Sequence, residues 1–176
     1  MFAKAVLSRS IAPSATSVMV IRLCTLGTVE LHSAAGESLD ALVAQPKRLG
    51  LLAYLALARP LGFHRRDQLL AMFWPEQDES HARDSLNQAI RFLRQSLGSG
   101  VVLSRGAEEV GLDRAQLWCD AFEFQAAIEQ EKPREAIELY RGELLSGFFV
   151  AGSHEFDEWL EAERVRLREQ ASFAAR

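Results

Sequence analysis

The chain has 176 residues, and 48% of them are hydrophobic, which is enough to bury the core of one domain or of two small ones. Its formal net charge of −4 does not favour a nucleic-acid-binding protein when taken alone. The charge is uneven, however: positions 1–112 carry 12 Lys and Arg against 10 Asp and Glu, whereas positions 113–176 carry 8 against 14. A mildly basic first part and an acidic second part indicate two units with different partners.

The sequence disfavours a membrane-spanning segment, a metal site and a catalytic site. No apolar run approaches the ~18 residues that cross a bilayer, so we expect no membrane partner. Cys24 and Cys119 lie far apart outside any CxxC pair, which disfavours a disulfide framework or zinc site and favours a reducing cytoplasm. Phosphate-loop, zinc-protease and nucleophile-elbow motifs are missing and the four His residues are scattered. We therefore predict no catalytic residues, no metal and no cofactor.

Positions 1–18 differ in amino-acid composition from the rest of the chain. They contain Lys4 and Arg9, no acidic residue, and a cluster of Ser, Ala and Pro. Their apolar stretches are too short and too interrupted for a targeting sequence. We predict a disordered extension over 1–18 and assign it no function.

The next stretch predicts strands followed by a buried helix. β-Branched and apolar residues predict strands over 19–26 and 28–32, and a weaker strand over 39–44. A first helix is expected to begin at Pro46 and to stop before Pro60. This helix is apolar on most sides, so it belongs in the core, with Leu49, Leu52, Ala53, Leu55 and Ala56 buried.

The stretch from His64 to Leu97, around which the chain is organised, predicts two helices. They extend over 65–73 and 79–97 and are joined by a short polar break. Trp74 ends the first helix because it precedes a proline, and such residues avoid the helical conformation. Asp78 is a plausible N-cap for the second helix because its carboxylate can accept from a free main-chain N–H.

The helix over 79–97 has two chemically different faces. Apolar residues recur at spacings of three and four and must be buried against another element: Ala82, Leu86, Ala89, Ile90, Leu93 and Leu97. Guanidinium and amide groups, which match the hydrogen-bonding pattern of base edges and phosphates, occupy another face: Arg83, Asn87, Arg91 and Arg94, with Gln88 and Gln95 further round. This pattern predicts the reading helix of a helix-turn-helix. The alternative is an ordinary amphipathic helix whose charged face is only solvated.

Two short apolar stretches around a Gly-containing turn predict a β-hairpin over 101–112. Strands, three helices and a terminal hairpin make a winged helix. The hairpin, or wing, carries Arg105 as its only cation, with Glu108 and Glu109 nearby. A strong grip on phosphate is therefore not expected from this wing.

Three further residues are candidates for contact with DNA. Arg105 lies in the wing, His64 immediately precedes the first predicted helix of the helix-turn-helix, and Arg65 begins it. For His64, as for His81, a surface or capping role is the alternative to phosphate contact.

Positions 113–176 predict paired helices. Apolar residues define a helix over about 120–130, a second that begins at Pro133 and runs through Leu145, and a third over about 155–174. Small residues at contact positions suit tetratricopeptide-like stacking, which usually presents a surface to other proteins. The acidic exterior serves either for solubility or as an activator surface, and it comprises Glu129, Glu131, Glu135 and Glu138.

The order of elements resembles a known family. The first part resembles the response-regulator type of winged helix in SARP-type bacterial transcriptional activators, through AQPKRLGLLAYLALA, then HRRDQLLAMFWPEQDESHARDSLNQAIRFLRQSLG, then the hairpin. The second part is similar to the bacterial transcriptional activator domain that follows it in that family, through LWCDAFEFQAAIE, PREAIELYRGELLSGFF and EFDEWLEAERVRLRE. Together the two matches extend over about 19–176.

The resemblance implies a regulator that binds double-stranded DNA at promoter repeats and contacts RNA polymerase. It places DNA reading on the helix over 79–97. It places polymerase contact on the preceding turn, at Trp74, Glu76, Gln77 and Asp78. A homodimer on tandem half-sites about one DNA turn apart, ~10–11 base pairs, is a further expectation. Members of that family carry several helical hairpins, so the second part is expected to be partial.

We therefore predict an α+β winged helix-turn-helix domain over 19–112 and an all-α, tetratricopeptide-like domain over 113–176. Their predicted function is non-enzymatic, sequence-specific DNA binding by a transcriptional activator. The alternative is a protein-interaction module in which the winged helix and the helical hairpins dock protein partners without specific DNA binding. The weak wing and the net acidity are compatible with that alternative.

Overall fold

The computed structural model describes residues 20–176 as an α+β fold with two three-stranded sheets and seven helices. The extension predicted over 1–18 lies outside the described residues. The strands are β1 (Ile21–Cys24), β2 (Glu30–His32), β3 (Phe63–Arg65), β4 (Val102–Arg105), β5 (Glu109–Leu112) and β6 (Leu117–Cys119). The helices are α1 (Asp40–Val43), α2 (Pro46–Leu57), α3 (Arg66–Phe73), α4 (Glu79–Leu97), α5 (Asp120–Glu129), α6 (Pro133–Leu139) and α7 (His154–Ala174).

The first sheet has the order β2-β1-β6, with β1 antiparallel to β2 and parallel to β6. The strands predicted over 19–26 and 28–32 are confirmed in shorter form. The strand predicted over 39–44 is wrong, because this stretch contains the short helix α1. Leu39, Leu42 and Val43 recur at spacings of three and four and pack on the core, which suits one helical turn. β6 was missed, so the part predicted to be all-α begins with a strand.

The second sheet has the order β3-β5-β4 and contains the predicted hairpin. β5 pairs antiparallel with both β4 and β3, and Arg65 lies opposite Glu109 in the register. β3 was missed because it has only three residues, and it continues directly into α3. The first residue of α3 is fixed to the wing, because the Arg66 main-chain N–H donates to the Glu108 carbonyl at 2.8 Å.

The helices of the first part confirm the predicted periodicities. Pro46 is the first residue of α2, and all five α2 residues predicted to be buried are at most 3% exposed. α4 extends over Glu79–Leu97 as predicted, and every member of its apolar stripe is buried. Because this stripe packs on the core, the opposite face of α4 lies at the surface.

Helix α6 is shorter than predicted and ends at Leu139. The following segment instead pairs with the residues just after β1: the Leu145 main-chain N–H donates to the Thr25 carbonyl at 2.7 Å, and the Gly27 N–H donates to the Glu143 carbonyl at 3.0 Å. Tyr140, which follows α6, has a ψ of 82° and so lies outside the helical region, and Leu145 further along has a positive φ of 45°. The apolar pattern through Leu145 marks burial, but tertiary pairing overrides the helix.

One hydrophobic core extends through both parts of the chain. α7 packs on α2 and α3 through aromatic rings. The Phe73 and Phe156 centroids are 5.1 Å apart, and those of Tyr54 and Trp159 are 4.9 Å apart. Since aromatic pairs in these geometries contribute beyond their buried area, α7 supports the orientation of α3.

Within residues 20–176, no helix combines the length and the apolar character needed to cross a membrane. The same residues contain no cluster of three His, Cys, Asp or Glu side chains arranged to hold a metal ion.

Candidate nucleic-acid interface

Side-chain hydrogen bonds hold the turn between α3 and α4 against the start of α4. The Asp78 carboxylate accepts from the His81 main-chain N–H at 3.1 Å, which makes Asp78 the N-cap as predicted. The hydrogen bond between the Asp78 carboxylate and the His81 ring raises the pKa of His81 and lowers the pKa of Asp78. The Ser85 hydroxyl donates to the Gln77 side-chain oxygen at 2.8 Å. These contacts fix the turn against the first turns of α4.

The face of α4 opposite its buried stripe carries guanidinium and amide groups. Five of the six α4 side chains predicted to contact DNA are exposed: Arg83, Asn87, Gln88, Arg91 and Gln95. The rigid helix therefore presents a row of hydrogen-bonding groups to the outside, as reading a major groove requires.

Not all arginines around this face are equally available. Arg83 pairs with Glu79 at 2.6 Å, Arg65 pairs with Asp67 at 2.8 Å, and Arg105 pairs with Glu109. All three guanidinium groups are exposed, although Glu109 is half-buried, so each pair is weak and the arginine can exchange its carboxylate for a phosphate.

Three arginines of this surface have no carboxylate within 4 Å among residues 20–176. They are Arg66, Arg91 and Arg94. Arg91 is exposed and also has no hydrogen-bond partner in that part of the chain. It is therefore the α4 cation most available to DNA.

Arg94 joins α4 to the wing. Its Nε donates to the Val102 carbonyl at 3.0 Å and its Nη2 donates to the Ser104 hydroxyl at 2.9 Å. The side chain is half-buried, so two of its donors are already used within the protein. Arg94 was predicted to contact DNA, and the structure also gives it a role in holding β4 beside α4.

Arg66, which sequence reasoning missed, links α3 to the reading face. Its Nη1 donates to the Asn87 side-chain oxygen at 2.9 Å. Burial lowers the pKa of Arg66, and the neighbouring charges of Arg94 and Arg83 act in the same direction. A surface depression of about 460 Å³ collects these groups; it is lined by Arg66, Asn87, Ile90, Arg91, Arg94, Gln95 and Ser99. In the sequence, Arg66 could be recognised only as the second Arg of HRRD, and nothing in that motif pointed to its contact with Asn87.

The expected phosphate contact by His64 needs correction. The side chain is 5% exposed, and its ring lies 5.2 Å from the ring of Tyr54. Burial lowers the pKa of His64, which favours the neutral form. In β3 alternate residues face opposite sides, so the exposed neighbour is Arg65. His64 is a core residue and leaves the candidate interface.

The turn predicted to contact polymerase has one buried residue, Trp74, and an exposed edge formed by the residues that follow Pro75. Trp74 is 6% exposed, and its ring lies 5.9 Å from Phe73. Its burial corrects the expectation of an indole at the surface. Glu76, Gln77 and Asp78 are exposed, and Glu76 accepts from Lys47 at 3.2 Å.

No protein-family model and no curated protein matches the chain. The fold is similar to that of Mycobacterium tuberculosis EmbR, solved in complex with a low-affinity phosphopeptide, with a TM-score of 0.61 and 20% sequence identity. The match covers 88% of this chain and 43% of the EmbR chain, so this chain spans less than half the length of that protein. At this identity the likeness shows the fold alone.

Proposed function

We propose that this chain is a sequence-specific transcriptional regulator that binds double-stranded DNA through α4. The observation that carries the proposal is the exposed face of α4, which presents Arg83, Asn87, Gln88, Arg91 and Gln95 from a helix whose other side is fully packed. Arginine and amide side chains are the groups that distinguish base pairs in the major groove. The resemblance to SARP-type activators supports the same assignment, and the likeness to EmbR supports the fold on which it rests.

The charges around α4 suit a protein that hydrogen-bonds to base edges and makes only a few phosphate contacts. Arg66, Arg91 and Arg94 supply cations that no carboxylate of residues 20–176 neutralises within 4 Å, whereas the wing cation Arg105 is paired with Glu109. Phosphate contacts therefore come from the helix-turn-helix more than from the wing. Arg65 adds a contact if DNA displaces its partner Asp67.

The finer roles in this proposal follow from the family resemblance. Residues 19–112 bind promoter direct repeats, and the chain activates transcription as a homodimer on tandem half-sites. The exposed edge of the turn, Glu76, Gln77 and Asp78, contacts RNA polymerase. Residues 113–176 form a tetratricopeptide-like unit that meets other proteins, even though they share a core with the first part.

The test is a selection of bound duplexes from random and genomic DNA fragments with the full chain, repeated at two salt concentrations. We expect a direct repeat to be enriched, with affinity that falls steeply at the higher salt because phosphate contacts release counterions. Failure to enrich any sequence at either salt would refute DNA reading.

A protein-docking module is the second candidate function. The observation that favours it is the pairing of Arg105 with Glu109, which neutralises the wing cation. If the helix-turn-helix docks protein, the chain should lack the steep salt dependence of a phosphate-binding surface, and substitutions on α4 should leave DNA retention unchanged.

A further inference from the structure

We infer that Arg66 orients the side-chain amide of Asn87 so that the pair presents only hydrogen-bond donors to DNA, and that Asn87 therefore reads guanine rather than adenine. This inference rests on the proposed function, since it concerns which base α4 selects. It names a positioning residue, Arg66, and a specificity-determining residue, Asn87.

The orientation of the amide follows from the chemistry of its partner. Arg66 Nη1 lies 2.9 Å from Asn87 Oδ1. A guanidinium has five N–H donors and no acceptor, so only the oxygen of the amide can face it. The Asn87 amino group is left without a partner among residues 20–176, on an exposed side chain.

Arg66 is itself held in place by the fold. It is the first residue of α3, it is half-buried, and its main-chain N–H donates to Glu108 in the turn of the wing at 2.8 Å. Its Nε is buried without a hydrogen-bond partner. Half-burial and the bond from Nη1 to Asn87 keep the guanidinium beside that amide, where its charge adds to the positive potential around α4.

The two purine bases respond differently to such a pair. Asparagine reads adenine by accepting from N6 and donating to N7. The second lone pair of Oδ1 could accept the N6 amino group, but that group would then lie beside the Arg66 cation, with donor facing donor. Guanine presents acceptors at both N7 and O6, which suit the Asn87 amino group and are attracted by the positive charge.

The test is selection of bound sequences from random double-stranded DNA with the full chain and three variants: Asn87→Asp, Arg66→Ala and, as a matched control on the exposed side of α6, Arg134→Ala. The parent is expected to select guanine at one position of each half-site. Asn87→Asp keeps the bond from Arg66 but loses the donor, so guanine there should give way to cytosine, whose N4 amino group donates.

In Arg66→Ala the amide is free to turn, and the same position should shift toward adenine by about tenfold, the scale of one good base contact. Arg134→Ala should keep the parent site. Adenine at the Asn87-dependent position of the parent, or an Arg66→Ala variant that weakens all sites equally, would overturn the inference while leaving DNA binding intact. Enrichment of no sequence by the parent would overturn the proposed function and this inference together.

Discussion

Asp120 is a buried carboxylate whose removal should strongly destabilise the fold. It is 5% exposed at the first position of α5, and its carboxylate accepts from three donors at the end of β1. The Thr25 main-chain N–H lies 2.8 and 2.9 Å from the two oxygens, the Thr25 hydroxyl lies at 2.8 Å and the Leu26 N–H lies at 2.9 Å. The Asp120 side chain therefore joins the end of β1 to the start of α5, in addition to the pairing of β1 with β6.

The expected loss in Asp120→Ala can be worked from these bonds. Two buried main-chain N–H groups, of Thr25 and Leu26, lose their acceptor, and each buried unpaired donor costs about 1–3 kcal/mol. The hydroxyl can rotate toward another acceptor, and the relief of a buried carboxylate offsets part of the loss. We expect the free energy of unfolding to fall by about 3–5 kcal/mol, in the range for breaking a buried charged contact.

Urea unfolding followed by circular dichroism measures this loss. With a denaturant dependence of about 2 kcal/mol per M, the midpoint should move down by roughly 2 M. Asp120→Asn keeps one acceptor oxygen and should fall between the parent and the alanine variant. Asp84→Ala, which removes the same charge from the exposed side of α4, should stay within about 0.5 kcal/mol of the parent. Equal midpoints for Asp120→Ala and Asp84→Ala would refute the argument.

Three other substitutions test separate parts of the fold. Because burial lowers the pKa of His64, protonation opposes folding and the parent should lose stability as the pH falls below about 6.5; His64→Phe should reduce that loss in urea unfolding at pH 5.5 and 7.5. Arg164 donates to the carbonyls of Leu144, Leu145 and Phe148 at 2.9, 2.6 and 3.0 Å, so Arg164→Gln should cost about 2–4 kcal/mol and speed hydrogen exchange over 144–148. A Cβ at Gly111 would lie 2.8 Å from the Gly62 carbonyl oxygen, so Gly111→Ala should separate β3 from β5 and cost about 1–3 kcal/mol in urea unfolding.

Each of these has an outcome that contradicts it. Identical pH dependence in the parent and His64→Phe would mean that the buried ring does not titrate against folding. Arg168→Gln, on the exposed side of the same helix, is the control for Arg164→Gln, and equal exchange rates in the two would remove the anchoring role. An unchanged midpoint in Gly111→Ala would show that β3 and β5 tolerate a side chain between them.

Local periodicity was sufficient to predict the helix-turn-helix. In α4 the apolar residues follow the 3.6-residue period over 19 positions, and one stripe of them decides both the helix and the face that it exposes. Asp78 could be predicted as the N-cap because that role depends only on neighbouring residues. The exposed candidates Arg83, Asn87 and Arg91 follow directly from the position of the buried stripe.

Pairings between distant parts of the chain could not be predicted from local patterns. β6 has three residues, and it is a strand because β1 supplies its hydrogen bonds from nearly a hundred positions away. The stretch after Leu139 has a helical pattern, yet its main chain pairs with Thr25 and Gly27. The roles of His64 and Arg66 depend on the same kind of contact, since packing on Tyr54 buries one and Asn87 engages the other.

The central claim, that α4 reads DNA, is tested most directly by equilibrium binding of the full chain to the selected duplex and to a shuffled duplex of the same composition. The parent should prefer the selected duplex. Arg91→Ala should lower that preference by ~1–3 kcal/mol, while Arg134→Ala, which removes the same charge from α6, should keep it. A preference that is absent in the parent, or that Arg91→Ala leaves unchanged together with Asn87→Ala, would contradict the assignment of α4 as the reading helix.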